Sequence, residues 1–166
     1  TYTREHFMRL CDRIREILPT VGLTTDIIVG FPGETDEEFQ ETLAVMEHVQ
    51  FDSAFTFKYS SRPGTKAAEY TDQVDPEKSQ KRLEQLIKLQ KQHTLNRNHQ
   101  EVGTVQTVLV EKESKRSPDM WAGRTDNNKW VIFNKGKAKI KDFVQVEITD
   151  ARGVSLHGNL LTVEQK

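Results

Sequence analysis

The apolar positions of this chain change their repeat near residue 100. Before it they follow a helical period or short unbroken runs; after it they fall into short β-like segments. Thr3 is placed to cap a first helix, on which Phe7, Leu10, Cys11, Ile14, Ile17 and Leu18 keep the 3.6-residue spacing, and Pro19 follows its end. Such a face needs covering, and no element precedes it. The covering elements are therefore expected later in the chain or in a longer protein of which this is a piece.

Gly22 to Gly30 reads as a strand. Its Ile27-Ile28-Val29 run is continuous, as in a parallel strand buried on both faces. The turn Phe31-Pro32-Gly33-Glu34 leads to a helix with a capping box, Thr35 with Glu38, and with Phe39, Leu43, Met46 and Val49 on its inner face. A second strand covers 52–60, with Phe55, Phe57 and Tyr59 on one side, and closes on a loop at Arg62-Pro63-Gly64-Thr65. This βαβ order predicts parallel pairing in an α/β barrel or open sheet. Asp75-Pro76 opens a third helix reaching about Asn98. It is mostly polar, with Leu83, Leu86 and Ile87 as its main apolar contacts, in the manner of an arm between domains. Beyond it five strands are predicted, at 104–111, 120–125, 129–133, 143–149 and 155–162. Turns at Ser117-Pro118-Asp119, Asp126-Asn127-Asn128 and Lys135-Gly136 separate them, which suits a small OB-like barrel. The fold class expected is thus α/β plus all-β, with residues 1–94 as one domain and 95–166 as the other.

Composition adds little to this until it is divided. The 166 residues are 30% charged and 35% hydrophobic, with a formal net charge of −1. Residues 1–94 carry 12 Lys and Arg against 16 Asp and Glu, whereas 95–166 carry 12 against 9. The basic C-terminal part points toward nucleic acid. No apolar run approaches the roughly 18 residues of a membrane span, so no membrane partner is expected. A single cysteine, Cys11, excludes an internal disulfide and any cysteine-built metal site, and a cytoplasmic setting is the simplest expectation.

Candidate chemistry sits at strand ends. Gly30 to Thr35 is a strand-to-helix loop where an α/β fold binds ligands, with either a ligand or only a tight turn as its reason. Asp26 inside an apolar strand calls for a partner or a polar cavity. Lys58 and Arg62 suit a phosphate or carboxylate, or else solvent. In the β-rich part, Arg124, Asn127, Asn128, Lys129, Trp130, Phe133, Lys135, Lys137, Lys139 and Lys141 interleave cations, amides and aromatics. Single-stranded RNA is held by such groups, and a core aromatic beside a solubilising lysine face would look the same. The five histidines are scattered, and no HExxH or nucleophile-base pattern appears.

The stretches TDIIVGFPGETDEEFQETL and FDSAFTFKYSSRPGTKAA resemble the late barrel region of the radical-SAM methylthiotransferases. WAGRTDNNKWVIF and FVQVEITDARGVSLHGNLL resemble the TRAM domain that follows it. FDSAFTFKYSSRPGT and GRTDNNK are similar to the tRNA-modifying branch, while the ribosomal-protein branch shares GFPGET. The resemblance implies the last βα units of a radical-SAM barrel plus a TRAM barrel. It also implies methylthiolation of carbon 2 of isopentenyl-adenosine beside the anticodon, using S-adenosylmethionine and two 4Fe–4S clusters. The cluster cysteines, CxxxCxxC included, are absent here, so the chain is expected to be a piece that is inactive alone and completed by N-terminal domains of the same protein. Carried onto this sequence, the resemblance implies cofactor contacts at Asp26, Ile28, Gly30, Pro32, Gly33 and Glu34, with Glu34 one residue further from Gly30 than in the usual motif. It implies a substrate pocket at Tyr59, Arg62 and Thr65. Arg124, Asn128 and Lys129 are the choices for backbone contacts to tRNA, with its anticodon stem-loop as the expected partner. The alternatives are a free-standing RNA-binding module and the ribosomal-protein branch. A βαβ remnant of this kind is expected to leave apolar faces exposed, so that residues 1–75 pair with another copy or are marginally stable.

Overall fold

The computed structural model describes residues 2–163, which form two compact units, one up to His93 and one from Thr94. In the first, α1 (Arg4–Ile17) is capped by Thr3, whose hydroxyl accepts from the His6 N–H at 3.2 Å. Strand β1 (Thr24–Val29) pairs in parallel with β2 (Ser53–Lys58), as the βαβ order predicts, and α2 (Asp36–Val49) connects them. The Thr35/Glu38 capping box forms on both sides, at 3.1 and 2.9 Å. Helix α3 (Pro76–His99) follows a short 3-10 turn at Lys66–Glu69.

The core of this unit joins Cys11 of α1, Val29 of β1, the four inner residues of α2, Phe51, and Leu86 of α3. All of it lies on one face of the two-stranded sheet. The expectation of a strand buried on both faces therefore fails: β1 alternates, and Ile28 is 57% exposed, beside Phe57 at 51% and Phe55 at 67%. With helices on one side only, every second residue faces outward. Asp26 lies on that open face, so its carboxylate is solvated and needs no buried partner. Leu10 and Ile17 of α1, and Leu18 just after it, are likewise exposed, and only Cys11 of that helix is fully buried.

Buried charge holds the loops of this unit. Asp52 accepts from the Leu23 N–H at 2.9 Å and faces Arg15, whose guanidinium also donates to the Val49 and Gln50 carbonyls. Helix α3 is less solvated than its composition predicts. Ser79, Arg82, Gln90, His93, Thr94 and Asn98 are buried along with Leu86, at helical spacing.

The second unit is a closed five-stranded barrel in the order β3-β4-β5-β7-β6: β3 (Val105–Ser114), β4 (Ser117–Thr125), β5 (Trp130–Asn134), β6 (Phe143–Arg152) and β7 (Ser155–Val163). All neighbours are antiparallel except β5 and β7. Each of the five predicted strands is present. The Ser117-Pro118-Asp119 turn is not: Ser114 pairs with Ser117, so the chain reverses at Lys115-Arg116 and Pro118 belongs to β4. Alternate residues, among them Val108, Val110, Val131, Phe133, Val144, Val146 and Leu156, fill the barrel. Phe133 is thus core and not a surface aromatic.

Gly30 has φ +73, and a Cβ there would run into the buried Ser79 side chain. Gly30→Ala should lower unfolding free energy by about 1–3 kcal/mol through strain, plus the cost of displacing Ser79. The control is Gly64→Ala, where φ is +81 but the space is open. Denaturant midpoints that fall equally for both variants would remove the packing contribution.

A pH effect follows from two imidazoles. Burial pushes His93 and His157 below the usual 6.5, with Arg152 and Arg116 adding to the effect at His157 and Glu47 and Asp150 opposing it at the two sites. Both are held neutral by the fold while the unfolded chain takes up protons first. Stability is then complete above about pH 6.5 and is lost as pH falls through the depressed folded values. Melting temperatures measured between pH 7.5 and 5 should decline, and less so for His93→Gln.

Candidate nucleic-acid interface

The strand-end loop of the first unit is built by three contacts. The Gly30 N–H donates to Glu34 Oε2 at 2.8 Å, and Arg82 donates from Nη1 to Glu34 Oε1 at 2.6 Å and to the Glu34 carbonyl at 3.1 Å. Its Nη2 meets Asp36 Oδ1 at 2.7 Å, and the guanidinium lies 5.3 Å from the Phe39 ring centroid. The Gly33 N–H donates to the Asp72 carbonyl at 2.9 Å. Glu34 is therefore occupied within the protein, one oxygen on its own loop and one on α3, and it shapes the loop. Pro32 is buried, and Gly33 is exposed. Of the six residues assigned to the cofactor by resemblance, Asp26 and Ile28 present side chains on the open sheet face.

Tyr59, Arg62 and Thr65 follow β2. The Tyr59 N–H continues the ladder to the Val29 carbonyl at 2.8 Å, and its ring meets Phe31 edge-on at 5.2 Å. The Thr65 hydroxyl donates to the Arg62 carbonyl at 2.8 Å, while both residues remain exposed.

On the barrel, strand register makes a row that sequence spacing does not show. Phe143 pairs with Leu109, Leu109 with Arg124, and Arg124 with Trp130, across β6, β3, β4 and β5. All four stand outside, because their neighbours Val108, Val110, Val131 and Val144 point into the core. Arg124 donates from Nε and Nη2 to the two oxygens of Glu111 at 2.7 and 3.2 Å and from Nη1 to Asn128 Oδ1 at 2.8 Å. It also lies 4.9 Å from the Trp130 ring centroid, and Lys112 Nζ is 4.2 Å from the same ring. The hydrogen bonds from Arg124 pull the Glu111 carboxyl below its usual range, and the same pair pushes the guanidinium up. Asn128, at φ +66, ends the β4–β5 turn with its side chain exposed. A groove of about 270 Å³ lies over the Phe143, Leu109 and Arg124 part of this row, and Glu111, Asp126 and Asn128 also line it.

Lys129 does not join this surface. It is buried, with Nζ 3.3 Å from Glu101 Oε1 and 3.4 Å from both the Arg97 carbonyl and Asn98 Oδ1. The choice of Lys129 as an RNA contact is corrected on that ground: its charge is matched inside the protein. Lys135 is likewise engaged, by Glu113 at 2.5 Å and the Trp121 ring at 4.4 Å, whereas Lys137, Lys139 and Lys141 of the β5–β6 loop are exposed. Phe143 and Glu111, which the sequence reading missed as site residues, carry one available signal: each sits on the outward parity of its strand.

Known proteins are similar to this chain in sequence. Residues 99–161 match the TRAM domain. Over 159 residues the chain is 46% identical to the tRNA-2-methylthio-N(6)-dimethylallyladenosine synthase of Syntrophomonas wolfei, which is 96% of this chain and 36% of that protein. The synthase of the same name from Bacillus mycoides is 47% identical over 160 residues, 96% of this chain and 31% of its own. That of Carboxydothermus hydrogenoformans is 46% identical over 160 residues, 96% and 36%. The chain thus spans about a third of the length of these relatives. Along almost all of its own length the chain is thus similar to part of these synthases, and its residues 99–161 match a TRAM domain.

Proposed function

We propose that this chain is part of a radical-SAM enzyme that methylthiolates carbon 2 of isopentenyl-adenosine beside the tRNA anticodon. In this reading the TRAM barrel grips the anticodon stem-loop and the βαβ unit forms the end of the catalytic barrel. The observation that carries it is the 46–47% identity, along 96% of this chain, to synthases whose name states a 2-methylthio-dimethylallyladenosine product in tRNA. The net positive barrel and its outward row of aromatic and cationic groups agree with an RNA partner.

The two clusters do not fit the residues present. Among the described residues no three His, Cys, Asp or Glu side chains converge to hold a metal. Cys11 is buried, and burial pushes its thiol up, away from the thiolate a cluster needs. The clusters would be ligated by other domains of the protein, and this chain alone should be inactive. For S-adenosylmethionine the fit is partial: Asp26 and Ile28 on the open face and the backbone of Gly30 to Gly33 are available, while Glu34 is engaged by Arg82. A tRNA substrate accords with a cytoplasmic setting, and no described helix is long and apolar enough to cross a membrane.

A fluorescent anticodon stem-loop titrated at several salt concentrations tests the RNA role. Binding should weaken linearly in log salt, with a slope near 0.7–0.9 per phosphate engaged. A Lys137→Glu, Lys139→Glu, Lys141→Glu variant should bind less tightly and with a shallower slope. Absence of binding even at low salt would remove the stem-loop from the barrel. Lys129→Met should behave differently. It should cost about 1–3 kcal/mol of stability by stranding Glu101, visible as a lower melting temperature, and leave the slope unchanged.

A further inference from the structure

The groove beside Arg124 differs from a phosphate site in its charges. We infer that it holds an unpaired nucleobase carrying an exocyclic amine, and that Arg124 orients the groove instead of binding phosphate; this rests on the RNA role proposed above. Both oxygens of Glu111 are bound by Arg124, so the guanidinium's charge is matched before any ligand arrives. Asp126 adds a second carboxylate on the same wall, and Asn128 is already an acceptor for Arg124 Nη1. Within the groove lining two carboxylates stand against one cation, with Lys112 outside it over Trp130, and this favours N–H donors over a phosphate. Opposite them, Phe143 is 48% exposed and lies next to Leu109, an apolar seat of the kind on which a heterocycle stacks.

The dimensions agree. Adjacent strands are about 4.8 Å apart, so the row from Phe143 to Trp130 spans about 14 Å, enough for one base at Phe143 and backbone along the rest. The volume of about 270 Å³ admits a single purine or pyrimidine. Arg124 is held 4.9 Å from the Trp130 ring centroid and fastened at three nitrogens, which fixes the position of the carboxylate facing the groove. Arg124 is thus a positioning residue, acting through Glu111.

Cytosine and uracil stack similarly, but only cytosine carries the exocyclic amine. The decisive experiment uses the 166-residue chain with hexacytidylate, hexauridylate and the anticodon stem-loop, each titrated against salt. Hexacytidylate should bind roughly tenfold more tightly than hexauridylate, the worth of a hydrogen bond to a charged acceptor. Asp126→Asn should shrink that ratio without changing the salt slope, and Glu111→Gln should shrink it while freeing Arg124. Phe143→Ala should weaken both oligonucleotides at least fivefold, and Phe143→Trp, which keeps the ring, should restore binding if the alanine variant melts early. Equal binding of the two oligonucleotides, or a salt slope that drops by about one phosphate in Arg124→Gln, would overturn the inference while stem-loop binding keeps the RNA role intact. Failure of the unaltered chain to bind any of the three would remove both.

Discussion

In the first unit the loop that leaves β1 depends on one buried cation. Arg82 is almost completely enclosed, and its desolvation is offset only because Glu34 and Asp36 meet it from the loop and from the first turn of α2. Those two carboxylates leave the Glu34 side chain fixed, and its other oxygen then fastens the Gly30 N–H. The loop, the start of α2 and the middle of α3 form one charge-linked body. Gly30 must be glycine in it twice over, for its backbone angle and for the close approach of Ser79. A residue pattern that reads as a ligand loop is in this way also a fastening for α3.

The barrel solves a parallel problem with Lys129. An ammonium taken out of water by the β4–β5 turn is satisfied by Glu101, Asn98 and a carbonyl at the end of α3. Of two cations five residues apart, Lys129 is inside and matched, and Arg124 is at the surface and matched by Glu111. Neither is a loose positive charge. Affinity for a polyanion then falls to groups such as Lys137, Lys139 and Lys141, while the Arg124 row contributes shape and stacking. Separating these contributions matters because long-range attraction is screened by salt and contact with a base is not.

The open face of the two-stranded sheet is the other consequence of the architecture. Asp26, Ile28, Phe55 and Phe57 lie on it because α1, α2 and α3 all pack on the opposite side. Side chains of this kind, apolar with a single carboxylate among them, suit the interior of a larger sheet better than solvent. The relatives are about three times as long as this chain, and the face agrees with a proposal in which further strands complete the sheet.

The helices and strands were legible in local chemistry. The Thr35/Glu38 capping box, the Thr3 cap, Pro76 at a helix start and the alternation through 104–162 each arise between residues near in sequence, and short-range geometry decides them. The family resemblance was legible for a similar reason, because long stretches such as FDSAFTFKYSSRPGT survive as strings. Burial was not. Whether Ile28 faces a core or water depends on how many layers cover the sheet, and β1 carries the same residues in either case. Nor did the sequence distinguish Arg124 from Lys129, since both are basic residues in one short turn region. Only the tertiary placement, with β3 bringing Glu111 to one and the segment after α3 bringing Glu101 to the other, decided which cation is inside. The row from Phe143 to Trp130 likewise joins residues up to 34 positions apart through strand register, a long-range quantity that the pairing of β3 with both β4 and β6 sets.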